Sequence, residues 1–501
     1  MVTHSLLPTI AVVLPIAISP FIFLIGRRSA YLRDGLAVGS LTISFVAILL
    51  MAPEVLSGKI LESIVVSEQA APLPISFKVS YFGEIVAIIS SFVWVLATIY
   101  SIEYMSDEHS KERYYSFLVL TGGSMYGIVL AKNLFALYIF FELMSVVSYV
   151  LVIHEETEEA LVAGKKYLFM CIGFGLLLFL SIILTYIGTG RLDFSSVPIF
   201  TEFYKKFMIV SPKTSLTILF FTYIFGFGTK AGLVPVHIWL PDAHPIAPSP
   251  ASALLSGVMI KAGAYGIIRT IYNVFGPQLV QELGVNIVLS CIGVLTIFLG
   301  AAVAISQTEI KRRLAYSSIN QIGYVVLGAA FLTKDGLTGA ILHIFNHGLM
   351  KGVLFLCAGA IIYKTGLREI EDLKGIGKKM PITMICFTIG ALSMMGIPPL
   401  CGFISKWILV LGALEAGVTI LVGFAGIFLL SAIMDAVYYF PIIRSAFFEE
   451  PIDGDTTNQD PSIIMLAPLI LLASGIIIFG IFPQIPLSFA EPAAEVLLGG
   501  F

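Results

Sequence analysis

The chain has 501 residues, 58% of them apolar and only 12% charged. A soluble domain carries about 25% charged residues, so a chain this long and this apolar cannot clothe itself for water, and its solvent is lipid. A formal net charge of -3 excludes the strongly basic or acidic balance that marks nucleic-acid binding.

The N-terminal run MVTHSLLPTIAVVLPIAIS has no basic segment before it, and Arg27 and Arg28 follow it. That order predicts a first membrane helix rather than a cleaved signal peptide. A spanning helix needs about 20 apolar residues. The sequence predicts an all-α polytopic membrane protein with fourteen spans, near 5–26, 34–52, 81–101, 114–131, 133–153, 166–188, 216–236, 249–272, 284–305, 313–332, 339–363, 381–412, 417–441 and 462–482. The longest polar stretches between them, around 52–80, 189–214 and 442–461, are too small for a separate domain. The loops on the side that follows the first helix hold 16 of the 29 Lys and Arg, the other side holds 9, and 4 lie inside spans. This bias places both termini outside a cell membrane, although the 189–214 loop, with four bases on the outer side, runs against it.

Cys171, Cys291, Cys357, Cys386 and Cys401 are scattered through apolar runs. They form neither a C-x-x-C pair nor an iron–sulfur spacing, so they read as small buried hydrophobes, and no cofactor is expected in this chain.

The seventh and twelfth spans are interrupted. The seventh contains Gly226, Gly228, Gly232 and Pro235 and runs into HIWLPDAHPIAPSP. The twelfth, ALSMMGIPPLCGFISKW, contains Gly396, Pro398, Pro399 and Gly402. Proline removes a backbone donor and clashes with the preceding turn, so each helix should open there. Open backbone at membrane depth is tolerated only where it is buried or lines a wet cavity. Two such spans at matching places in two halves signal inverted repeats, the alternative being two independent kinks.

Four ionisable residues fall deep in spans: Glu142, Lys230 beside the first break, Lys261, and Lys406 after the second. A charge at a helix centre costs roughly 2.5–3.5 kcal/mol on insertion scales, so four unpaired groups would cost on the order of 10 kcal/mol, comparable to the stability of a domain. Glu142 could neutralise one lysine as a structural pair, but one acid cannot serve three. At least two lysines must be neutral, hydrated or shared among states. His343, His347 and Lys351 follow at i, i+4, i+8 and form one stripe about 12 Å long on a helix face. Histidine titrates nearest physiological pH, which suits a relay. Zinc is the competing reading of two histidines at i, i+4, but no H-E-x-x-H glutamate lies between them and the third stripe member is a cation, so no metal is expected.

Around these lie residues with a supporting place. His237 and His244, beside Asp242, form either a proton entrance or a satisfied helix cap. Lys166, like Lys165, sits where a snorkelling lysine is the ordinary reading. Ser317, Ser318, Asn320 and Gln321 either hold water between two halves or bond across helices. Asp435 is another buried acid, a relay member or a structural partner.

At these residues the chain resembles the antiporter-like subunits shared by respiratory complex I, Mrp-type sodium/proton antiporters and membrane-bound hydrogenases. The matching runs are FFELMSVVSYVLV, GTKAGLVPVHIWLPDAHPIAPSPASALLSGVMIKAGAYGIIR, IKRRLAYSSINQIGYV, LHIFNHGLMKGVLFLCAG and GIPPLCGFISKW, in order along spans five to twelve. The resemblance implies two inverted five-helix repeats, each with a broken helix, at 114–272 and 273–441. They would be preceded by three helices in 1–113 and followed by a loop and the last helix in 442–501. It assigns Glu142 to tuning Lys230, a bridging role to Lys261, His343, His347 and Lys351, an exit to Lys406, and raises Lys166 to a place near the Glu142–Lys230 pair. The chain stops soon after the fourteenth span, and Lys406 stands where one subtype has glutamate. Both favour the Mrp antiporter member known by the letter D, or its hydrogenase-complex equivalent. The expected function is proton translocation by one subunit among other membrane subunits, coupled to redox chemistry on partners or to sodium exchange, with no redox or hydrolytic site in this chain. A stand-alone solute carrier is the alternative, and it would need a substrate pocket larger than a water chain.

Overall fold

In lipid a backbone has no water to satisfy its N–H and C=O groups, so a spanning segment bonds them internally as helix. The computed structural model follows that rule. It describes residues 2–66, 74–195, 198–200, 212–451, 457 and 459–499. Its helices in chain order are α1 (Leu7–Gly26), α2 (Ala30–Leu56), α3 (Tyr81–Tyr104), α4 (Lys111–Leu130), α5 (Leu134–Val152), α6 (Glu158–Thr189), α7 (Pro212–Ala231), α8 (Leu240–Ile246), α9 (Ser249–Leu254) and α10 (Ile260–Arg269). They continue with α11 (Pro277–Leu283), α12 (Val285–Ser306), α13 (Ile310–Ala330), α14 (Lys334–Thr365), α15 (Ile376–Lys379), α16 (Pro381–Met395), α17 (Cys401–Glu415), α18 (Thr419–Phe448), α19 (Ile463–Ile481) and α20 (Gln484–Leu498).

Among the described residues, ten helical stretches are long and apolar enough to cross a membrane, and each coincides with an expected span. The other four expected spans are α4, α7 and α13, which are less apolar, and the twelfth, which is split into α16 and α17. The span Ser249–Phe275 is also irregular: π-helical Leu255–Met259 joins α9 to α10, and a second π segment, Thr270–Phe275, ends it.

Both expected breaks are present. After α7 the chain passes through Gly232 at φ +81° and stays out of α-helix until α8, and after α16 it passes through Gly396 at φ +83° before α17. A residue with a Cβ is strained in that left-handed region, which is why glycine stands at both points. The freed backbone groups find partners: Trp239 Nε1 donates to the Thr229 carbonyl at 2.7 Å, and Gly402 N donates to Ser393 Oγ at 3.0 Å.

Burial sorts the spans. The apolar windows of Ser249–Phe275 and of α14 are wholly buried, and α14 packs against α3, α13, α16, α17, α19 and α20. By contrast α6 turns Phe169, Leu176, Leu180 and Ile187 outward, an apolar stripe at helical spacing that suits lipid contact.

Two features lie outside the fourteen expected helices. A three-stranded sheet forms from β1 (Val2–His4), β2 (Ile60–Val66) and β3 (Ile75–Val79), with β1 parallel and β3 antiparallel to β2. Strands β2 and β3 lie in the 52–80 stretch read as a loop, because strands this short show no clear alternation. The second is α20, which packs on α3 and α14. The sequence predicts no helix after the fourteenth span, and Pro486 and Pro492 interrupt any regular helical pattern there. Leu497 of α20 and Ile60 of β2 line one cavity, and β1 pairs with β2, so both ends of the chain lie on one face, as an even number of spans requires. Within the 189–214 loop, Lys205 and Lys206 lie outside the described residues.

The α12–α13 interface relies on backbone proximity: a Cβ on Gly300 would stand 2.4 Å from the Asn320 backbone nitrogen, whereas one on Gly173 of α6 would meet nothing within 4 Å. Gly300→Ala should therefore destabilise the protein by about 1–3 kcal/mol through overpacking, while Gly173→Ala should be neutral or mildly stabilising. Reversible unfolding in mixed micelles checks the pair. Equal behaviour of the two variants would contradict this packing.

Candidate functional site

Lys230, Lys261, His343, His347, Lys351 and Lys406 are each at most 7% exposed. None of these side chains faces lipid. Each therefore needs a polar partner inside the protein.

Lys230 lies in the last turn of α7, where the helix opens. Its ammonium donates to the Tyr167 hydroxyl and to Cys171 Sγ at 3.9 Å, both on α6, and sits 4.6 Å from the Tyr167 ring centroid. Tyr167 in turn shares a hydrogen bond of 2.6 Å with Ser148 of α5. Glu142, in the middle of α5, is half-buried, and its Oε1 is enclosed without a hydrogen-bond partner. The carboxylate lies over Gly175 of α6, where a Cβ would come within 2.2 Å of Oε1. Among the described residues no ion pair within 4 Å joins Glu142 to Lys230.

Lys166 turns the other way. Its ammonium donates to Asp242 Oδ2 at 2.6 Å, and Arg312 approaches Oδ1 at 3.3 Å. These three groups, with Glu158, Glu159 and Glu309, border an open cavity of about 580 Å³. Asp242 is thus paired at a vestibule, and Lys166 meets the Lys230 region only through its chain neighbour Tyr167. His237 is half-buried in the break, and His244 is fully buried on α8, its ring 5.0 Å from that of Phe355. Neither caps a helix through its side chain among the described hydrogen bonds: His237 Nδ1 and both nitrogens of His244 lack partners.

Next along the protein is Lys261 on α10. Gly263 brings α10 against the end of α7, since a Cβ there would stand 2.4 Å from Ala231 N, and Lys261 lies two residues earlier on the same helix. Its ammonium donates to the Ser256 carbonyl at 2.7 Å, inside the π-helical segment, and Ser256 Oγ is 2.5 Å from Ser318 Oγ on α13. The stripe on α14 follows. Lys351 donates to Ser317 Oγ and to the Leu314 carbonyl at 2.9 Å, with the Tyr439 hydroxyl at 3.5 Å. His347 stacks on His343 with ring centroids 5.8 Å apart, and both its nitrogens lack a partner. His343 is held at 2.9 Å by Ser405 Oγ and at 3.0 Å by Gln321 Oε1.

Gln321 continues the row by donating to Asp435 Oδ2 at 3.1 Å. Asp435, fully buried on α18, accepts from Lys406 at 2.7 Å and from the Tyr438 hydroxyl at 2.6 Å. Lys406 also donates to the Met394 carbonyl at 2.5 Å, at the opened end of α16, where a cation meets the negative end of a helix dipole.

The sequence places all of these ionisable residues in the interior and foresees that one acid cannot serve every lysine. It leaves Asp435 open, and the structure pairs it with Lys406. Tyr167, Ser256, Ser405, Tyr438 and Tyr439 are not foreseen. Their only signal is a hydroxyl in an apolar run, and that does not say which helix face it lies on.

Lys406 and Asp435 are 8% and 0% exposed at their side chains. Removing one partner of such a pair strands a buried charge, costing about 3–5 kcal/mol, while replacing both by apolar groups can be near neutral. Asp435→Asn should lower stability by that amount and Asp435→Leu/Lys406→Met should recover most of it, measured by reversible unfolding in mixed micelles. A double variant no better than the single would show the pair is not a closed unit.

The same segment carries the likeness to known proteins. Residues 131–433 match the family described as NADH:quinone oxidoreductase/Mrp antiporter, TM, a stretch that holds Glu142 to Lys406 and stops just before Asp435. The chain is 33% identical over 412 residues to NADH-quinone oxidoreductase subunit N of Desulforudis audaxviator, covering 79% of this chain and 80% of that one. It is 31% identical over 421 residues to NADH-quinone oxidoreductase subunit M of Rickettsia typhi, covering 82% of this chain and 80% of that one. Its fold superposes with a TM-score of 0.87, at 24% identity over 99% of this chain and 98% of the other, on a chain of the membrane-bound sulfane sulfur reductase, an archaeal respiratory membrane complex. The chain is a multi-pass membrane protein and belongs to the NADH:quinone oxidoreductase/Mrp antiporter family of transmembrane subunits.

Proposed function

We propose that this chain is a proton-translocating, antiporter-like subunit of a multisubunit membrane complex, working beside other membrane subunits that supply redox chemistry or sodium exchange. The observation that carries the reading is the row of buried ionisable side chains, all but His347 hydrogen-bonded, running from Lys230 through Lys261, Lys351, His347 and His343 to Lys406 and Asp435. Ionisable residues inside a membrane mark ion and proton pathways.

Protons enter at the Lys166–Asp242 vestibule, with His237 and His244 between it and the interior, and leave near Lys406. Lys230 is the first carrier. A neutral amine accepts a proton and an ammonium donates it, and the neutral oxygen of Tyr167 tolerates both states better than a fixed carboxylate would. Glu142 acts on Lys230 through its charge: bringing the carboxylate nearer favours the ammonium, and moving it away releases the proton toward Lys261. The unpartnered Oε1 of Glu142 leaves it free to make that change. The two breaks belong to two inverted five-helix repeats, 114–272 and 273–441, flanked by 1–113 and 442–501. The vestibule faces the cytoplasm of a cell membrane and both termini face outward, the arrangement favoured by the lysine and arginine bias.

Lys230→Ala and Lys230→Arg in the intact complex, reconstituted in vesicles, test the mechanism. Arginine keeps the charge but does not deprotonate in proteins, so both variants should assemble and both should lose coupled proton transport to background, read with an internal pH dye. Wild-type transport by Lys230→Arg would overturn the mechanism. Dependence of the pH change on added sodium, without a redox substrate, would assign the coupling to sodium exchange.

A further inference from the structure

The loops α3–α4 and α5–α6 meet on the face of the protein that carries the vestibule. Glu108 and His109 lie in the first loop, MSDEHSKE, and His154 lies in the second, VIHEETEE. The loops are tied together by Arg113, whose Nη2 donates to the His154 carbonyl at 3.0 Å and whose Nη1 pairs with Glu156. Ligand atoms of Glu108, His109 and His154 all lie within 4.8 Å of one another, with His109 Nδ1 3.8 Å from Glu108 Oε2.

The second, independent feature is His154 itself. It is 0% exposed, yet neither ring nitrogen has a hydrogen-bond partner. Its ring is stacked on His109 at 4.9 Å and meets the edge of Tyr114 at 5.4 Å. Burying an imidazole with no partner is costly, and such groups are rare in folded proteins. An imidazole in its neutral form carries a free lone pair, the form that ligates metals.

We propose that Glu108, His109 and His154 form a site for one divalent transition-metal ion of the zinc class. Two imidazoles and one carboxylate, with a fourth position open to water, make a donor set that zinc takes. Tetrahedral ligands at about 2.0–2.1 Å from zinc stand roughly 3.3 Å apart, so the cluster must close by an ångström or so. Buried His154 is the fixed member, and exposed His109 and half-buried Glu108 are the ones that move. Glu156 pairs with Arg113 and offsets part of its positive charge. Glu155, next to His154 in the chain, adds a second carboxyl on the same loop. The sequence raises zinc only at the His343–His347 stripe and leads to an expectation of no metal in the chain, because the ligands proposed here come from two loops that only the fold brings together. The site does not depend on the proposed relay.

The test uses the full chain in its membrane complex, stripped with EDTA, reloaded with zinc and freed of excess by gel filtration. Elemental analysis should give one zinc per chain, absent from preparations of both His109→Ala and His154→Gln. Competition with a fluorescent chelator should show zinc affinity at least about tenfold weaker in each, since even outer-shell changes at metal sites cost 10–100-fold. His109 is exposed, so His109→Ala should keep its zinc-free unfolding temperature and remain interpretable if His154→Gln misfolds. Substoichiometric zinc in the wild type, or wild-type affinity in His109→Ala, would overturn the assignment.

Discussion

An ammonium group placed in hydrocarbon must be surrounded by oxygen, and this requirement shapes the interior of the protein. Carboxylates are scarce there, so backbone carbonyls and hydroxyls do most of the work. Lys261 takes the Ser256 carbonyl, Lys351 the Leu314 carbonyl and Ser317 hydroxyl, Lys406 the Met394 carbonyl, and Lys230 the Tyr167 hydroxyl. Two of those carbonyls belong to irregular backbone, the π-helical segment and the opened end of α16. Helix defects and buried charge are therefore one arrangement: a regular helix consumes its own carbonyls, and a defect frees one for a cation.

The two ends of the row are electrostatically unlike. At one end Lys406 is locked to Asp435, which also accepts from Tyr438 and Gln321. At the other, Lys230 has neutral partners and Glu142 stands apart from it over Gly175. A closed ion pair resists rearrangement, because each charge has lost its water and gained only its partner. A lysine on a phenol has no such commitment.

The two faces of the protein also differ. One gathers the small sheet, both termini and the end of α20. The other gathers the Lys166–Asp242 vestibule and the loops that bring His154 to His109. The helix α14, wholly buried through its apolar window, spans the distance between them and carries His343, His347 and Lys351 on the surface it turns toward α13 and α17.

Much of this was legible in the residues alone. Apolar run length gave the spans, because the bilayer fixes how many residues a helix needs. Glycine and proline located both breaks, because their effect on the backbone is local. A lysine, histidine or glutamate inside an apolar run announced itself, because its burial is costly wherever it points. What the sequence could not decide is pairing. Asp435 finds Lys406 29 residues away, Lys166 finds Asp242 across 76, and His154 meets His109 from another loop. The β-sheet and α20 were hidden for a related reason: strands of a few residues and a helix with internal prolines lack a period of their own, and are held by what they pack against. Composition and local stereochemistry determined which groups must be buried and where the chain must bend, whereas only the packed helices decided which oxygen each buried charge would meet.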